Sequence, residues 1–296
     1  MKICQYDNNE AGAVLGNQVY PIGAALVRAG HVRSGYTMLD IVDALANKPG
    51  AMDSIRDVAK TGAPRPLAAV KLLAPITNPP AIWCAASNYK AHQQEMVARV
   101  KSTGATQNMS KEELMSEFFL KPVSSIVGPG SNVILPKVSK HVDFECELCA
   151  IIGKTARKVS ADRALEHVFG YLMLWDLSQR DPWGIGRQNT RNIRKGFDTF
   201  CGLGPWIVTA EEIPDPHNLK FHVEQNGETK MVAWTGDMIC NLFDHIPFLS
   251  GCVTLAPGTL VTTGTPAGVQ RLAPGDHLKG VMQNIGEMEL RVIAES

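Results

Sequence analysis

The chain has 296 residues, of which 45% are hydrophobic, so it can bury the core of one large domain or of one large and one small domain. Lys plus Arg and Asp plus Glu both number 29, and this zero net charge, without a basic run, predicts no nucleic-acid partner. No signal core follows the first residues, and no apolar stretch is long enough to span a bilayer. With seven scattered cysteines that suit reduced thiols, we expect a cytoplasmic protein without membrane contact.

The first part of the chain is predicted to form a small α/β domain. Strand patterns precede a helix for which Thr37 is a candidate N-cap, and no dense cluster of chemical groups occurs there. The composition changes after a Pro-rich break at residues 77–80. We therefore predict a small N-terminal domain over residues 1–77 and a catalytic domain over residues 78–296.

An acidic strand is predicted within residues 141–154. Its apolar and polar residues alternate, which puts Glu145 and Glu147 on one face of the strand. Two carboxylates this close repel each other, by roughly 4 kcal/mol for charges ~4 Å apart at an effective dielectric near 20. Asp176, at the end of a later apolar run, is a candidate third oxygen ligand. Three carboxylates without a His or Cys ligand favour Mg²⁺ or Mn²⁺ over Zn²⁺.

A plain alternative is that Glu145 and Glu147 lie on the solvent face of a half-buried strand. That interpretation suits most Glu-x-Glu pairs in strands. Residues 149–152, however, are apolar at every position, which is typical of a strand buried on both faces and favours a site.

A second candidate group lies on a helix predicted to begin after Asn88, its candidate N-cap. His92 and Glu95 are three residues apart and therefore share a face, where a carboxylate can orient an imidazole and raise its basicity. An incidental pair on an exposed helix is the alternative. The polar segment 98–118 is predicted to be a lid over the site, or else a surface insertion.

Two further segments are predicted from local signals. Ser160 is a candidate cap of a helix that ends at Gly170. Residues 264–268 form a Gly/Pro loop whose backbone N–H groups can face an anion, or else an ordinary tight turn. The sequence contains no GxGxxG, P-loop or GxSxG motif, so a nucleotide-dependent redox enzyme is disfavoured.

In this order, the motifs resemble those of the fumarylacetoacetate hydrolase family over about residues 82–290. The matching segments are SNYKAHQQEM, FLKPVSSIVGPG, VDFECELCAIIGK, GYLMLWDLSQRD, KGFDTFCGLGPWIV, NGE at 226–228 and TGTPAGV.

The resemblance implies a β-rich α+β fold, a fumarylacetoacetase-like mixed β-roll, usually in a homodimer. It also implies a small-molecule 2-oxo acid substrate and a setting in the catabolism of aromatic compounds. The family's functional positions carry over as follows: metal ligands Glu145, Glu147 and Asp176, with Mg²⁺ or Mn²⁺; the His–Glu pair His92 and Glu95; the active-site Lys195; the substrate-contacting Thr265; and Arg180 of the Ser-x-Arg-Asp pattern.

Some positions depart from the family's pattern. Trp175 stands where Asn is common, Pro182-Trp183 where one branch has Gln nearby, and Gln270 where Gly is frequent. None of these removes a ligand. Our hypothesis is that the two tryptophans reshape the pocket or stack on the substrate.

The expected reaction is metal-dependent hydrolysis of a C–C bond in an acylpyruvate or fumarylpyruvate-like 1,3-dicarbonyl. His92, oriented by Glu95, would activate water, and Lys195 and Thr265 would hold developing negative charge. The alternative is decarboxylation or keto–enol isomerisation of a 2-oxo diacid, such as a muconate-derived acid or oxaloacetate. A third hypothesis, from another class, is a non-catalytic protein that binds a metal or a 2-oxo acid.

Overall fold

The computed structural model describes residues 1–100, 109–181 and 191–296. Within these ranges strands outnumber helices, and the expected β-rich α+β class is confirmed. None of the helices in these ranges combines the length and the apolarity needed to cross a bilayer.

The first 77 residues form two antiparallel hairpin connections followed by three helices. The predicted helix after Thr37 is confirmed: the Thr37 hydroxyl accepts from the Asp40 N–H, and the Asp40 carboxylate accepts from the Thr37 N–H. The elements are β1 (Lys2–Tyr6), β2 (Glu10–Leu15), β3 (Gln18–Pro21), α1 (Gly23–Arg28), α2 (Met38–Asn47), α3 (Ala51–Thr61), β4 (Arg65–Pro66) and β5 (Leu72–Leu73).

The remaining elements are mostly strands. They are β6 (Ile82–Cys84), α4 (Lys90–Val100), α5 (Lys111–Met115), β7 (Phe119–Leu120), β8 (Ile126–Val127), β9 (Asn132–Leu135), β10 (Val142–Asp143), β11 (Cys146–Ile152), β12 (Val168–Asp176), β13 (Ser178–Gln179), α6 (Arg191–Arg194), β14 (Cys201–Thr209), β15 (Lys220–Gln225), β16 (Glu228–Trp234), α7 (Leu242–Cys252), β17 (Leu260–Thr262), β18 (His277–Met282) and β19 (Gly286–Ala294).

The strands belong to two large sheets and one small one. The main sheet has the order β4-β3-β2-β1-β14-β12-β11-β17-β6-β7, with β5 on β1 and β8 on β14. The second sheet has the order β16-β15-β18-β19-β9, and β10 pairs with β13. Because β1 pairs with β14 through Lys2 and Val208, the N-terminal strands extend the sheet that carries the acidic strand.

The central strands β11 and β12 are buried on both faces, which explains their nearly continuous apolar sequence. On one face, Met173 and Trp175 pack in the core that includes residues of the second sheet. On the other face, Leu172 and Leu174 pack in the core that includes residues of α1, α2 and α3. This period-two division also separates Cys146 from Cys149, which lie in different cores.

The predicted helix from Ser160 to Gly170 is wrong in its cap and at its end, because Ser160 makes no side-chain capping hydrogen bond. A 3₁₀ helix covers Ala161–His167, and Gly170 lies inside β12. A Cβ on Gly170 would lie 2.3 Å from the carbonyl oxygen of Val208, so this glycine permits close contact between β12 and β14 and does not end a helix.

Candidate metal centre

Strand pairing brings the three acidic residues of the predicted metal site together. Glu145 precedes β11, Glu147 lies in β11, and Asp176 is the last residue of β12. Cys146 pairs with Trp175, and the Asp176 N–H donates to the Glu145 carbonyl oxygen at 2.9 Å. The acidic side chains are therefore held by the ladder between two adjacent strands.

The carboxylates form a compact, buried cluster. One oxygen each of Glu145, Glu147 and Asp176 lies within 4.8 Å of the others, and the residues are at most 4% exposed. The solvent-facing alternative for Glu145 and Glu147 is therefore wrong. An all-oxygen, all-carboxylate donor set fits a hard divalent cation such as Mg²⁺ or Mn²⁺.

Fixed donors bind the outer oxygen atoms of these carboxylates. Asp176 Oδ1 accepts from Lys121 Nζ at 2.6 Å, and Glu145 Oε1 accepts from Arg180 Nη2. Glu147 Oε2 accepts from the backbone N–H of Gly264 at 2.9 Å. Such donors fix the direction in which each carboxylate presents its remaining oxygen.

Lys195 contacts the inner oxygen atoms. Its Nζ lies 2.7 Å from Glu145 Oε2 and 2.5 Å from Asp176 Oδ2. The lysine is 8% exposed and follows α6 directly. Burial alone would lower its pKa, but the charges of Asp176 and Glu145 raise it, so the side chain is an ammonium.

The electrostatics divide the acidic cluster. Burial tends to raise the pKa of Glu145, but Lys195 and Arg180 reverse this effect and hold it below its usual value. Burial, followed by the charges of Asp176 and Glu145, raises the pKa of Glu147 to about 8. The lysine and arginine therefore do not balance the negative charge at Glu147. A divalent cation bound between the three carboxylates would supply the missing positive charge.

The predicted His–Glu pair exists on α4. The structure places His92 Nδ1 3.4 Å from Glu95 Oε2, and His92 is 5% exposed. Glu95 also accepts from the Gly268 N–H, at 3.1 Å to Oε2. The His92 charge is among the causes that lower the pKa of Glu145, so the imidazole lies near enough to Glu145 for their charges to interact. The exposed-helix alternative for His92 is therefore wrong.

Asn88 does not cap this helix, contrary to the sequence-based prediction. The helix begins at Lys90. The Asn88 amide donates to the carbonyl oxygens of Cys240 and Thr263 at 2.7 and 2.8 Å and accepts from the Cys240 N–H. This buried amide satisfies backbone groups of two other segments and therefore fixes the approach of α4 to the loop that begins at Gly264.

Arg180 lies in a chain of ionic contacts. Its Nε donates to Asp143 Oδ2 at 3.2 Å, while its Nη2 contacts Glu145. The other oxygen of Asp143 lies 2.8 Å from His141 Nε2, and Asp143 is 1% exposed. The arginine that the resemblance assigns to substrate is therefore also the partner of a carboxylate ligand.

Thr265 and Trp175 occupy different environments. The Thr265 hydroxyl lies 3.3 Å from both the N–H and the carbonyl oxygen of Cys146. Trp175 is fully buried and packs edge-on against Phe144. Because it precedes Asp176 on a strand, it points to the opposite face, so the hypothesis that Trp175 stacks on a substrate at the carboxylates is wrong.

Two sequence-based predictions fall wholly or partly outside the described residues. Trp183 lies in 182–190, and residues 101–108 of the predicted lid, 98–118, also fall outside the described ranges. The described remainder of that segment includes α5, which begins with a capping box between Ser110 and Glu113. Lys111 at its start contacts Asp244 of α7 at 2.8 Å.

The sequence analysis missed Lys121 and Asp143 as members of the site. Lys121 is one residue of the motif FLKPVSSIVGPG, and Asp143 is the acidic residue two positions before Glu145. A Lys directly after a short apolar strand, and a third acid near Glu145, are weak signals. Their partners come from chain segments 55 and 37 residues away.

Comparison with known proteins identifies the class of this fold and site. A family model described as "Fumarylacetoacetate (FAA) hydrolase C-terminal" matches residues 81–293. Maleylpyruvate hydrolase of Aquipseudomonas alcaligenes is 35% identical over 99% of both chains, and human mitochondrial oxaloacetate tautomerase is 36% identical over 77% of this chain and 71% of its own. The chain belongs to the fumarylacetoacetate hydrolase family.

A solved structure agrees with this assignment over the whole length. Maleylpyruvate hydrolase from Sphingobium sp. SYK-6, in complex with manganese(II) and pyruvate, superposes with a TM-score of 0.83 at 31% identity and covers 100% of both chains. A 2-hydroxyhepta-2,4-diene-1,7-dioate isomerase from Mycobacterium marinum matches 80% of this chain and 82% of its own, with a TM-score of 0.66 and 35% identity.

Proposed function

We propose that this protein is a divalent-metal-dependent hydrolase that cleaves the C–C bond of an acylpyruvate such as maleylpyruvate or fumarylpyruvate, with Mn²⁺ or Mg²⁺. The observation that carries the proposal is the buried carboxylate cluster together with the His92–Glu95 pair, whose imidazole is near enough to Glu145 for their charges to interact. The full-length likeness to maleylpyruvate hydrolases, one of them solved with manganese and pyruvate, supports both the reaction class and the metal.

The residues have separate roles in this proposal. Glu145, Glu147 and Asp176 hold the cation, which when bound supplies Lewis-acid polarisation of substrate oxygens. His92 accepts a proton from the water that adds to the acyl carbonyl, and Glu95 fixes the orientation of the imidazole.

The electrons of the broken C–C bond pass to the pyruvate fragment as its enolate, which takes up a proton to give pyruvate. The other fragment leaves as a carboxylic acid. Lys195, whose ammonium lies at the inner carboxylate oxygens, stabilises the negative charge that develops on the substrate oxygens, with Arg180 and Thr265 as further substrate contacts.

The alternative is keto–enol isomerisation or decarboxylation of a 2-oxo diacid. It needs the same enolate but no water, and it is favoured by the relatives named oxaloacetate tautomerase and dioate isomerase. A non-catalytic binding protein is less well supported, because a binder has no need of a buried proton-transfer pair such as His92 and Glu95.

Product analysis separates these functions. Purified protein with Mn²⁺ is incubated with maleylpyruvate, fumarylpyruvate and acetylpyruvate, and in parallel with oxaloacetate. We expect pyruvate and a second acid in equal amounts, abolished by EDTA and restored by Mn²⁺. Enol–keto conversion or CO₂ release from oxaloacetate without hydrolysis would favour the alternative, whereas binding of oxalate without any turnover would favour the non-catalytic protein.

Four further features complete the proposal. We propose a homodimer in the cytoplasm, active in the catabolism of aromatic compounds, with residues 1–77 as a small domain and residues 78–296 as the catalytic domain. The family model begins at residue 81, which supports this division. Light scattering on the purified protein tests the dimer.

A further inference from the structure

Lys121 is a buried lysine that the proposed reaction does not use. It follows β7, and its side chain is 0% exposed. Its backbone N–H donates to the Ile82 carbonyl oxygen at 3.3 Å, which ties its main chain to β6. A lysine is rarely buried to this degree without partners, since desolvation of an ammonium is costly.

The ammonium of Lys121 has two partners, and both belong to the proposed site. It donates to Asp176 Oδ1 at 2.6 Å and to the backbone carbonyl oxygen of Lys195. The buried Lys121 ammonium therefore connects a proposed metal ligand, Asp176, to the main chain of Lys195, which is the other lysine of the site.

The two lysines bind opposite sides of the same carboxylate. Lys121 contacts Oδ1 of Asp176, whereas Lys195 contacts Oδ2 and also reaches Glu145. Lys195 therefore lies between two proposed ligands, where it competes with a cation. Lys121 lies outside them and leaves the inner oxygen available.

We propose that Lys121 is a positioning residue, which holds Asp176 with one oxygen directed towards the metal and holds the main chain of Lys195 at a fixed distance from that carboxylate. This inference rests on the proposed function for its consequence in catalysis. Its consequence for metal binding is independent of which substrate is used.

The effect of losing Lys121 has a defined direction. Without its ammonium, Lys195 is the remaining cation at Asp176 and binds that carboxylate more tightly, so a metal ion has to displace it at greater cost. Loss of such an outer partner commonly costs 10–100-fold in metal affinity or activity. A role limited to charge predicts the reverse, because removing a positive charge next to a ligand favours cation binding.

The test measures Mn²⁺ binding to the metal-free protein by calorimetry and by electron paramagnetic resonance, for wild type, Lys121→Met and Lys111→Met. Lys111 is a matched control, since it also contacts an Asp, Asp244 at 2.8 Å, but is half exposed. We expect the Mn²⁺ Kd to rise about 10–100-fold in Lys121→Met, and to stay within twofold of wild type in Lys111→Met.

A second variant guards against a change that is only structural. Lys121→Ala leaves space for a small alkylammonium ion, and Lys121 borders a surface groove that also includes Val123 and Ile193. We expect propylammonium, but not propanol, to restore Mn²⁺ affinity at least fivefold.

A Kd that is unchanged or lower in Lys121→Met, or a Tm that falls while the Mn²⁺ Kd stays the same, would overturn the proposal. So would equal rescue by propylammonium and propanol. Because these results do not depend on turnover, they remain distinguishable from a failure of the proposed hydrolysis.

Discussion

The Glu95 carboxylate accepts a hydrogen bond from the Gly268 N–H at 3.1 Å, across 173 residues of sequence. The same carboxylate contacts His92. The orientation of the imidazole is therefore set by a loop that also contains Thr265 and that begins at Gly264, the donor to Glu147. One loop thus connects the proposed proton-transfer pair to a proposed metal ligand.

Neutralising Glu95 tests how much its charge supports His92. In Glu95→Gln the carbonyl oxygen can still accept from Gly268, but the ionic support of His92 is lost. We expect kcat to fall about tenfold, less than the 10²–10⁴-fold typical of losing a general base, which His92→Ala should show. The Mn²⁺ Kd should stay within threefold of wild type in both variants. Steady-state kinetics and calorimetry check this, with the exposed Glu166→Gln as control; full activity of His92→Ala would refute the assigned role.

Removing the charge of Asp143 tests the anchor of Arg180. Asp143→Asn keeps the size of the side chain but leaves Arg180 without one of its two ionic partners. We expect kcat/KM to fall about 10–100-fold. Asp181→Asn is the matched control, because Asp181 accepts from Ser139 and the Lys140 N–H and should affect stability alone. Equal kinetic losses in the two variants would contradict a specific role for Asp143.

Substituting Gly170 tests the close contact between β12 and β14. A Cβ at Gly170 would lie 2.3 Å from the Val208 carbonyl oxygen, whereas one at Gly251 of α7 would meet no atom within 4 Å. We expect Gly170→Ala to lower the free energy of unfolding by about 1–3 kcal/mol, and Gly251→Ala to leave it unchanged or raise it by up to ~1 kcal/mol. Urea unfolding measures both; equal stabilities of the two variants would argue against this packing.

His245 makes stability depend on pH. It is 1% exposed on α7, packs edge-on against Phe118, and burial lowers its pKa to about 3. Above pH 6.5 this histidine is neutral in both the folded and the unfolded protein, so it does not change the free energy of unfolding. Below pH 6.5 the unfolded chain binds a proton at this histidine that the folded protein does not. Stability is therefore lost progressively from pH 6.5 towards 3, by about 2 kcal/mol at pH 5.

Urea unfolding at pH 7.5 and pH 5 checks this dependence. Between the two pH values, we expect the free energy of unfolding of His245→Leu to fall by about 2 kcal/mol less than that of wild type. The more exposed His222→Gln should behave like wild type. An identical pH dependence in wild type and His245→Leu would show that this histidine is not the cause.

Local patterns predicted the acidic cluster well because β11 and β12 are long and buried. In such strands successive side chains point to opposite faces, so the sequence determines which face each acidic side chain occupies. Thr37 was recognisable as an N-cap because a capping box is complete within four residues. Gly170 was misassigned because a glycine that ends a helix and one that permits close strand contact look alike in sequence.

The residues that support the site could not be predicted in the same way. Lys121 contacts Asp176 across 55 residues of sequence, and Asn88 hydrogen-bonds backbone groups 152 and 175 residues away. Local propensity carries no information on such contacts. The resemblance to a family supplied Lys195 and Arg180, but not the ionic contacts that hold them.

Direct titration of metal-free protein with Mn²⁺ tests the central claim, that Glu145, Glu147 and Asp176 together hold one divalent cation. Calorimetry on wild type and Glu147→Gln, with Glu224→Gln as a surface control, gives the stoichiometry and the Kd. We predict one Mn²⁺ per chain in wild type and in the control, and binding weakened at least 100-fold in Glu147→Gln. Wild-type protein that binds no Mn²⁺, or a Glu147→Gln variant with the wild-type Kd, would contradict the account.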